Sequence, residues 1–430
     1  MAQASSRKHT LTIASGSLVA ALLLIIGRSS QSWNTLRGDE SLLLSEAVED
    51  GLEATLRSFG GYLHVVQRIM AWVASLFPPE LFPHVLYVIA LGFWISNLAL
   101  LGYSLQGLTK KVTIWSIAPV AAILPPLGIE VMGDLAHIQV AMFLGIAAVI
   151  LFSGFPNSSI LLHGFGVYVL LFGLSSPSIV LIAAWCFYRH EFPIVGTRDS
   201  EVPNRVILRY SLVALLVQLW VTTVQDDRQA EFSFDNFLSG VRFTLHSLLP
   251  QPYRDYYFSF DGSSNAPLNS FLLFVLLAIL IFLVVGAFRS IHEDSPSSRI
   301  TDAMAFSIAA TLFYTTISSD YHTGYVVVLY VFLTTGALWA VIHGRGVLRM
   351  TSVVVLATLL ISSIQSFSPK NDDDIFFGGG GWLYEELVPW DKALAEARRA
   401  CAEVPERDVF IATNQVDTFW GVTMSCEELE

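Results

Sequence analysis

The sequence predicts an all-α polytopic membrane protein with about eleven transmembrane helices. Apolar residues fill 53% of the 430 positions and charged residues only 14%, whereas a soluble domain carries about 25% charged residues. A helix needs roughly 20 apolar residues to cross a bilayer, so the long apolar runs indicate spans. The clearest runs are Leu11–Gly27, Leu81–Leu105, Ile114–Gly128, Leu135–Gly154, Val206–Val224, Phe271–Phe288, Met304–Ser318, Tyr325–Ile342 and Thr351–Phe367.

Two of the apolar segments need separate interpretation. The run Ile160–Tyr188 is too long for one ordinary helix, and Gly173 to Pro177 interrupt it. We therefore predict two short helices joined at the outer face of the membrane. The first run follows Arg7 and Lys8 and resembles a signal peptide, but it offers no good small-residue cleavage site, which favours an uncleaved anchor.

Charge predicts the orientation of the chain in a plasma membrane. With the N-terminus inside, half of the Lys and Arg residues fall in the short inner loops, and most of the 36 acidic residues lie outside. This distribution follows the positive-inside rule and predicts a cytoplasmic N-terminus and an extracytoplasmic C-terminus. The net charge of −12 argues against nucleic acid as a partner.

The first outer loop, residues 28–80, carries an acidic pair directly after the first span. Asp39 and Glu40 open a stretch that predicts an amphipathic interfacial helix from Asp39 to Phe59. The glycines at 60 and 61 break this helix. A second helix is predicted to follow, with His64, Gln67 and Arg68 on one side.

A second acidic cluster lies in the short outer turn before the fourth span. Glu130 precedes Asp134 and His137, and the last two are spaced i, i+3 at the start of a helix. A Glu, Asp and His set is able to bind a divalent ion. The alternative is that Asp134 only caps the helix that follows it.

The middle loop, residues 225–269, contains Arg242 and His246 in an amphipathic segment, followed by interleaved aromatic and charged residues. Such a pattern is typical of sugar-binding surfaces and equally of an aromatic belt at the membrane interface. His322 lies in a further outer turn, at the mouth of a span.

The chain divides into a transmembrane domain, residues 1–367, and a small extracytoplasmic segment, residues 368–430. Within the segment the sequence predicts a helix at Trp390–Cys401 and strands at 409–412 and 420–424. Cys401 and Cys426 are its only cysteines, and on the oxidising side they predict a disulfide. Cys186, within a span, is predicted to pack in the core.

The order of these features resembles the GT-C superfamily of membrane glycosyltransferases. An anchor helix, the acidic first loop, the Gly-Tyr-Leu-His segment at 61–64, Pro78-Pro79, the acidic turn and the interrupted helix pair resemble bacterial integral-membrane members over residues 1–190. The resemblance implies inverting transfer of a monosaccharide from a polyprenyl-phosphate carrier to a saccharide, lipid or protein acceptor on the outer face, with membrane lipid around the donor's tail.

The resemblance also implies roles for individual residues. The acceptor hydroxyl needs a base, for which Asp39 is the first candidate and Glu40 the alternative. The leaving phosphate needs cations, and the candidates are Arg68 with His64 or Arg242. The remaining predicted substrate contacts are Glu130, Asp134, His137 and His322.

The same residues also allow other interpretations. Asp39 is also a good helix cap, and Arg68 is also able to pair with a carboxylate. A transporter or flippase of a lipid-linked saccharide would place ionisable groups near mid-membrane, whereas the carboxylates here gather at one face. A non-catalytic subunit of a cell-envelope assembly would need no acidic cluster.

Overall fold

The computed structural model describes fourteen stretches of the chain. They are residues 2–59, 61–106, 118–123, 132–153, 158–191, 201–224, 296–317, 327–343, 345–346, 349–350, 352–357, 387–404, 408–414 and 420–429. The predicted span Phe271–Phe288, the middle loop 225–269 and the boundary predicted at 367 lie outside them.

The described part is mostly helical, and several of its helices are long and apolar enough to span a membrane. Three meet both conditions, at Pro79–Leu105, Leu135–Phe152 and Val202–Val224, and a fourth arises if Ala14–Gly27 and the segment after its 68° bend count as one span. The presence of several such helices agrees with a multi-pass membrane protein, while the number of eleven spans stays a prediction. The main helices are Ala2–Ser29 (α1), Gly38–Asp50 (α2), Val65–Ser75 (α3), Phe82–Gln106 (α4), Ala118–Ile123, Ile138–Ala148, Ser159–Gly173, Ile179–Glu191, Glu201–Val224, Pro296–Ile317, Val327–His343 and Trp390–Glu403.

One candidate span is central and another is peripheral. In Leu135–Phe152, 89% of the residues are buried, whereas only 33% are buried in the 18-residue apolar stretch within Val202–Val224. The second helix exposes Leu216, Leu219 and Trp220, as expected for a helix that faces lipid. The buried helix Leu135–Phe152, called the central helix below, therefore holds the residues at its N-terminal end in fixed positions.

The interrupted helix pair is confirmed. Helices end at Gly173 and begin again at Ile179, and the bend between them contacts the first loop. Val65 N–H donates to Leu174 O at 3.3 Å, and Val66 N–H donates to Ser175 Oγ at 2.9 Å. The bend thus lies on the same side of the molecule as the first loop.

The first loop is more irregular than the predicted long helix. α2 ends at Asp50 because Gly51 adopts a positive φ of 61°, which glycine allows at no steric cost. A 3₁₀ turn follows, and then a short antiparallel hairpin of Ser58–Phe59 (β1) and Tyr62–Leu63 (β2). The expectation of a helix from Asp39 to Phe59 was therefore wrong in its second half.

The C-terminal segment has the predicted elements, so the chain is not entirely α-helical. The helix Trp390–Glu403, called the tail helix below, precedes the antiparallel strands Asp408–Ala412 (β3) and Gly421–Ser425 (β4). A disulfide joins Cys401 to Cys426, which confirms the predicted bridge. Cys186 is fully buried in its helix, also as predicted.

Candidate functional site

The acidic pair lies in the first turn of α2, where the backbone N–H groups favour negative charge. The helix begins at Gly38, with Arg37 in an extended conformation at the cap position. Asp39 is therefore inside the helix and is not its cap. Its side chain is half-buried, whereas Glu40 is only 2% exposed, because neighbouring helical positions point about 100° apart.

The second acidic segment is a capped turn at the start of the central helix. Asp134 is 3% exposed, and its Oδ1 accepts the Ala136 N–H at 2.8 Å. Its Oδ2 lies 3.0 Å from His137 Nδ1. The capping role proposed for Asp134 is confirmed, and His137 contacts the cap directly.

Glu40 connects the two acidic segments. Its Oε1 accepts the Leu135 N–H at 3.2 Å, so the carboxyl group is held against the Asp134 turn. Burial, and then the charge of Asp134, raise the pKa of Glu40 to about 8, against the opposing effects of the Leu135 N–H and of Arg37. Glu40 is therefore mostly protonated at neutral pH.

Arg68 is fully buried and forms an ion pair with Glu46 of α2. It also donates to Ser58 O at 3.4 Å. Burial lowers its pKa to about 10, which leaves it protonated at neutral pH. The carboxylate pairing considered from the sequence is thus present, and the two residues are 22 positions apart, a spacing that no local pattern signals.

His64 and Gln67 occupy different surroundings although both flank the same helix start. His64 stands at the cap position of α3 and packs against the rings of Phe59 and Tyr62, with centroids 5.3 and 4.2 Å away. Gln67 donates to Gln139 Oε1 at 3.0 Å and to Ala136 O at 3.4 Å. Gln67 therefore fixes α3 to the central helix beside the Asp134 turn.

The C-terminal segment covers α2. A Cβ placed on Gly38 would lie 2.8 Å from the Trp420 ring, so the indole packs directly on the first residue of the acidic helix. The Thr423 N–H of β4 donates to Ser45 Oγ at 3.0 Å. No local sequence pattern signals this contact, because the two elements are nearly 380 positions apart.

Three predicted site residues, Glu130, Arg242 and His322, lie outside the described residues. Within the described part, no group of three His, Cys, Asp or Glu side chains is arranged to hold a metal ion. The structure brings together Glu40, Asp134 and His137, and Asp39 precedes Glu40 in sequence. Arg68 instead pairs with Glu46 of α2, and His64 packs on Phe59 and Tyr62.

No model of a protein family matches the chain, and no curated protein matches it.

This arrangement supplies one half-buried and two buried carboxyl groups at the end of a buried helix. Carboxyl groups in different surroundings are able to take different protonation states, and this difference is the usual basis for separate acid and base roles. A base also has to come within hydrogen-bonding distance of the proton that it removes. Of the carboxyl groups here, Asp39 is the most accessible.

Proposed function

We propose that the protein is a GT-C-type glycosyltransferase that moves a monosaccharide from a polyprenyl-phosphate carrier to an acceptor at the outer membrane face, with inversion. The observation that carries the proposal is the Glu40–Leu135 hydrogen bond, through which the acidic helix start meets the acidic turn at the end of the central helix. Carboxyl groups from two separate loops then stand at one membrane face, where a lipid-linked headgroup would lie.

Asp39 is the base in this proposal. Its half-buried side chain remains within reach of an acceptor hydroxyl, whereas Glu40 is enclosed and protonated at neutral pH. Asp39 removes the hydroxyl proton as the oxygen attacks the anomeric carbon. The bond from that carbon to the phosphate oxygen breaks, and the electron pair leaves on the phosphate. Glu40 positions the Asp39 turn through Leu135.

In this proposal the leaving phosphate is held by the predicted cations, Arg68 with His64 or Arg242. Arg68 is already neutralised by Glu46, so it would have to exchange that carboxylate for the phosphate. His64 stands at the cap position of α3, the helix that contains Arg68. Arg242 and His322, outside the described residues, remain predicted contacts, as does Glu130.

The packing of the C-terminal segment supports the predicted topology. Trp420 packs on Gly38, and Trp390 Nε1 donates to Pro79 O at 2.7 Å, so the segment and the first loop are in contact. In the proposed topology both lie on the outer side, with an even number of crossings between them and α1 as one further crossing. This agrees with eleven spans in a plasma membrane, a cytoplasmic N-terminus and an extracytoplasmic C-terminus.

The test is a product assay on purified protein with short-chain polyprenyl-phosphate sugars, in which release of polyprenyl phosphate is measured. Asp39→Asn is compared with Glu49→Gln, since Glu49 is an exposed carboxylate on the same helix. We expect turnover with wild type and Glu49→Gln and a loss of at least about 100-fold with Asp39→Asn. Equal turnover in the two variants would remove Asp39 as the base.

The same assay separates the rival functions. Saturable donor binding with no release by wild type would overturn the transferase in favour of a transporter of lipid-linked saccharides. Neither binding nor release, together with a co-purifying envelope protein, would favour a non-catalytic subunit.

A further inference from the structure

A groove with a volume of about 450 Å³ lies between the first loop, the start of α4 and the tail helix. It is distinct from the carboxyl cluster around Glu40 and Asp134, neither of which lines it. Two tryptophans, Trp33 and Trp390, are among its lining residues.

The two tryptophans have different roles in the walls. Trp33 is 45% exposed although it belongs to a structured turn, and its ring is held edge-on against His84 and Tyr87, at centroid distances of 4.3 and 5.8 Å. Trp390 is 1% exposed and is anchored through its indole N–H on Pro79. The Trp33 ring thus has a fixed orientation and an open face, and the buried Trp390 lines the same groove.

The polar groups of the groove come from both the first loop and the tail helix. Asn34 Nδ2 donates to Asp391 Oδ1 at 2.9 Å, and Arg398 forms an ion pair with Glu80. The buried Nδ1 of His84 has no hydrogen-bond partner among the described residues, although His84 lines the groove. The groove therefore offers both hydrogen-bond acceptors and donors.

Hydroxyl groups match this set best, because each one both donates and accepts hydrogen bonds. Two carboxylates, Glu80 and Asp391, line the groove with a single guanidinium, Arg398, so an anionic ligand such as a phosphate is disfavoured. A lipid chain is disfavoured as well, since burial against these charged groups would leave them without solvent. A ring with apolar C–H faces and several hydroxyls satisfies both the indole and the polar rim.

We propose that the groove between Trp33 and Trp390 binds a neutral saccharide, and, resting on the proposed function, that this saccharide is the acceptor. A sugar ring stacks on Trp33, and its hydroxyls contact Asn34 and Asp391. Asn34 precedes Asp39 by five residues, so their Cα atoms are at most about 18 Å apart. A saccharide held in the groove is thus within a few sugar units of the proposed base.

The binding test uses the full chain in nanodiscs, because maltoside detergents carry sugar headgroups that would compete. The probes are neutral gluco-, manno- and galacto-oligosaccharides and pentose oligosaccharides of two to four units, titrated by calorimetry. We expect at least one series to bind wild type, and Trp33→Ala to weaken that binding about tenfold or more. Trp220→Ala, at an exposed tryptophan on the peripheral helix, should bind as wild type does.

Asp391→Asn is the second variant, since Asp391 is exposed on the tail helix and we expect its replacement to leave the fold intact. It should also weaken binding. If no probe binds wild type, or if Trp33→Ala binds as tightly as Trp220→Ala, the groove is not a saccharide site and Trp33 is only an interfacial anchor.

The outcome for the groove is separable from the outcome for the proposed function. Saccharide binding that depends on Trp33, in a protein that releases no polyprenyl phosphate, would uphold the site and overturn the transferase. Transfer in which Trp33→Ala leaves the acceptor KM unchanged would uphold the transferase and overturn the acceptor site. A raised acceptor KM with an unchanged donor KM supports both.

Discussion

Replacing Glu40 by glutamine should change how the stability of the protein depends on pH. The folded protein raises the pKa of Glu40 from 4.5 to about 8, so the folded state holds a proton that the unfolded chain releases. A raised pKa gives stability that is complete below pH 4.5 and is lost as the pH rises towards 8. Glutamine keeps an oxygen for the Leu135 N–H and does not titrate.

The size of the effect follows from the shift. Between pH 5 and pH 8 the wild type loses at most about 1.4 kcal/mol per pH unit, or about 3.5 kcal/mol in all, relative to Glu40→Gln, because the slope falls as the pH nears the folded-state pKa. At roughly 2 °C per kcal/mol, the lower figure for large domains, the Tm of wild type should fall about 7 °C further than that of the variant over this range.

The assay is thermal unfolding in detergent from pH 5 to pH 9, followed by tryptophan fluorescence. The groups that act on Glu40 are Asp134 and Arg37, and His137 contacts Asp134. All three are present in both proteins, so the difference between the curves isolates Glu40. Glu49→Gln, an exposed carboxylate of the same helix, should parallel wild type. Parallel curves for wild type and Glu40→Gln would refute the argument that this carboxyl group is buried and protonated.

Two further predictions concern the surroundings of the site. Gly38→Ala should displace Trp420 and lower the Tm, because the new Cβ would lie 2.8 Å from the indole ring. Gly92→Ala should leave the Tm unchanged, since a Cβ there would meet nothing within 4 Å. An unchanged Trp420 environment by fluorescence would contradict the packing. Arg68→Met should cost about 2–3 kcal/mol in denaturant unfolding, less than a fully buried pair because Glu46 is 29% exposed. Adding Glu46→Leu should recover most of that loss, and if the single variant is as stable as wild type the ion pair contributes nothing.

Much of the architecture could be predicted from local patterns. Apolar runs predict membrane helices because each must satisfy its own backbone in lipid, and Gly173 to Pro177 predict the interruption that the structure has. The tail helix and β3 and β4 follow from local periodicity. The disulfide follows from the presence of only two cysteines in the segment.

The details of the first loop depended on single positions and on pairing. One glycine, Gly51, ends α2 nine residues before the predicted helix end at Phe59. β1 and β2 are two residues long each, too short to give a period-2 pattern. Glu46 and Arg68 form their ion pair only because α2 and α3 pack together.

The sequence alone determined where the ionisable residues lie along the chain: Asp39 with Glu40, and Asp134 with His137, are visible as two short acidic segments. The tertiary structure alone decided that Glu40 is enclosed against Leu135 while Asp39 stays accessible, and that Trp420 covers Gly38. The physical reason is that composition and periodicity depend on neighbours along the chain. Burial, protonation and access depend on contacts between segments up to hundreds of positions apart, and these exist only once the helices have packed.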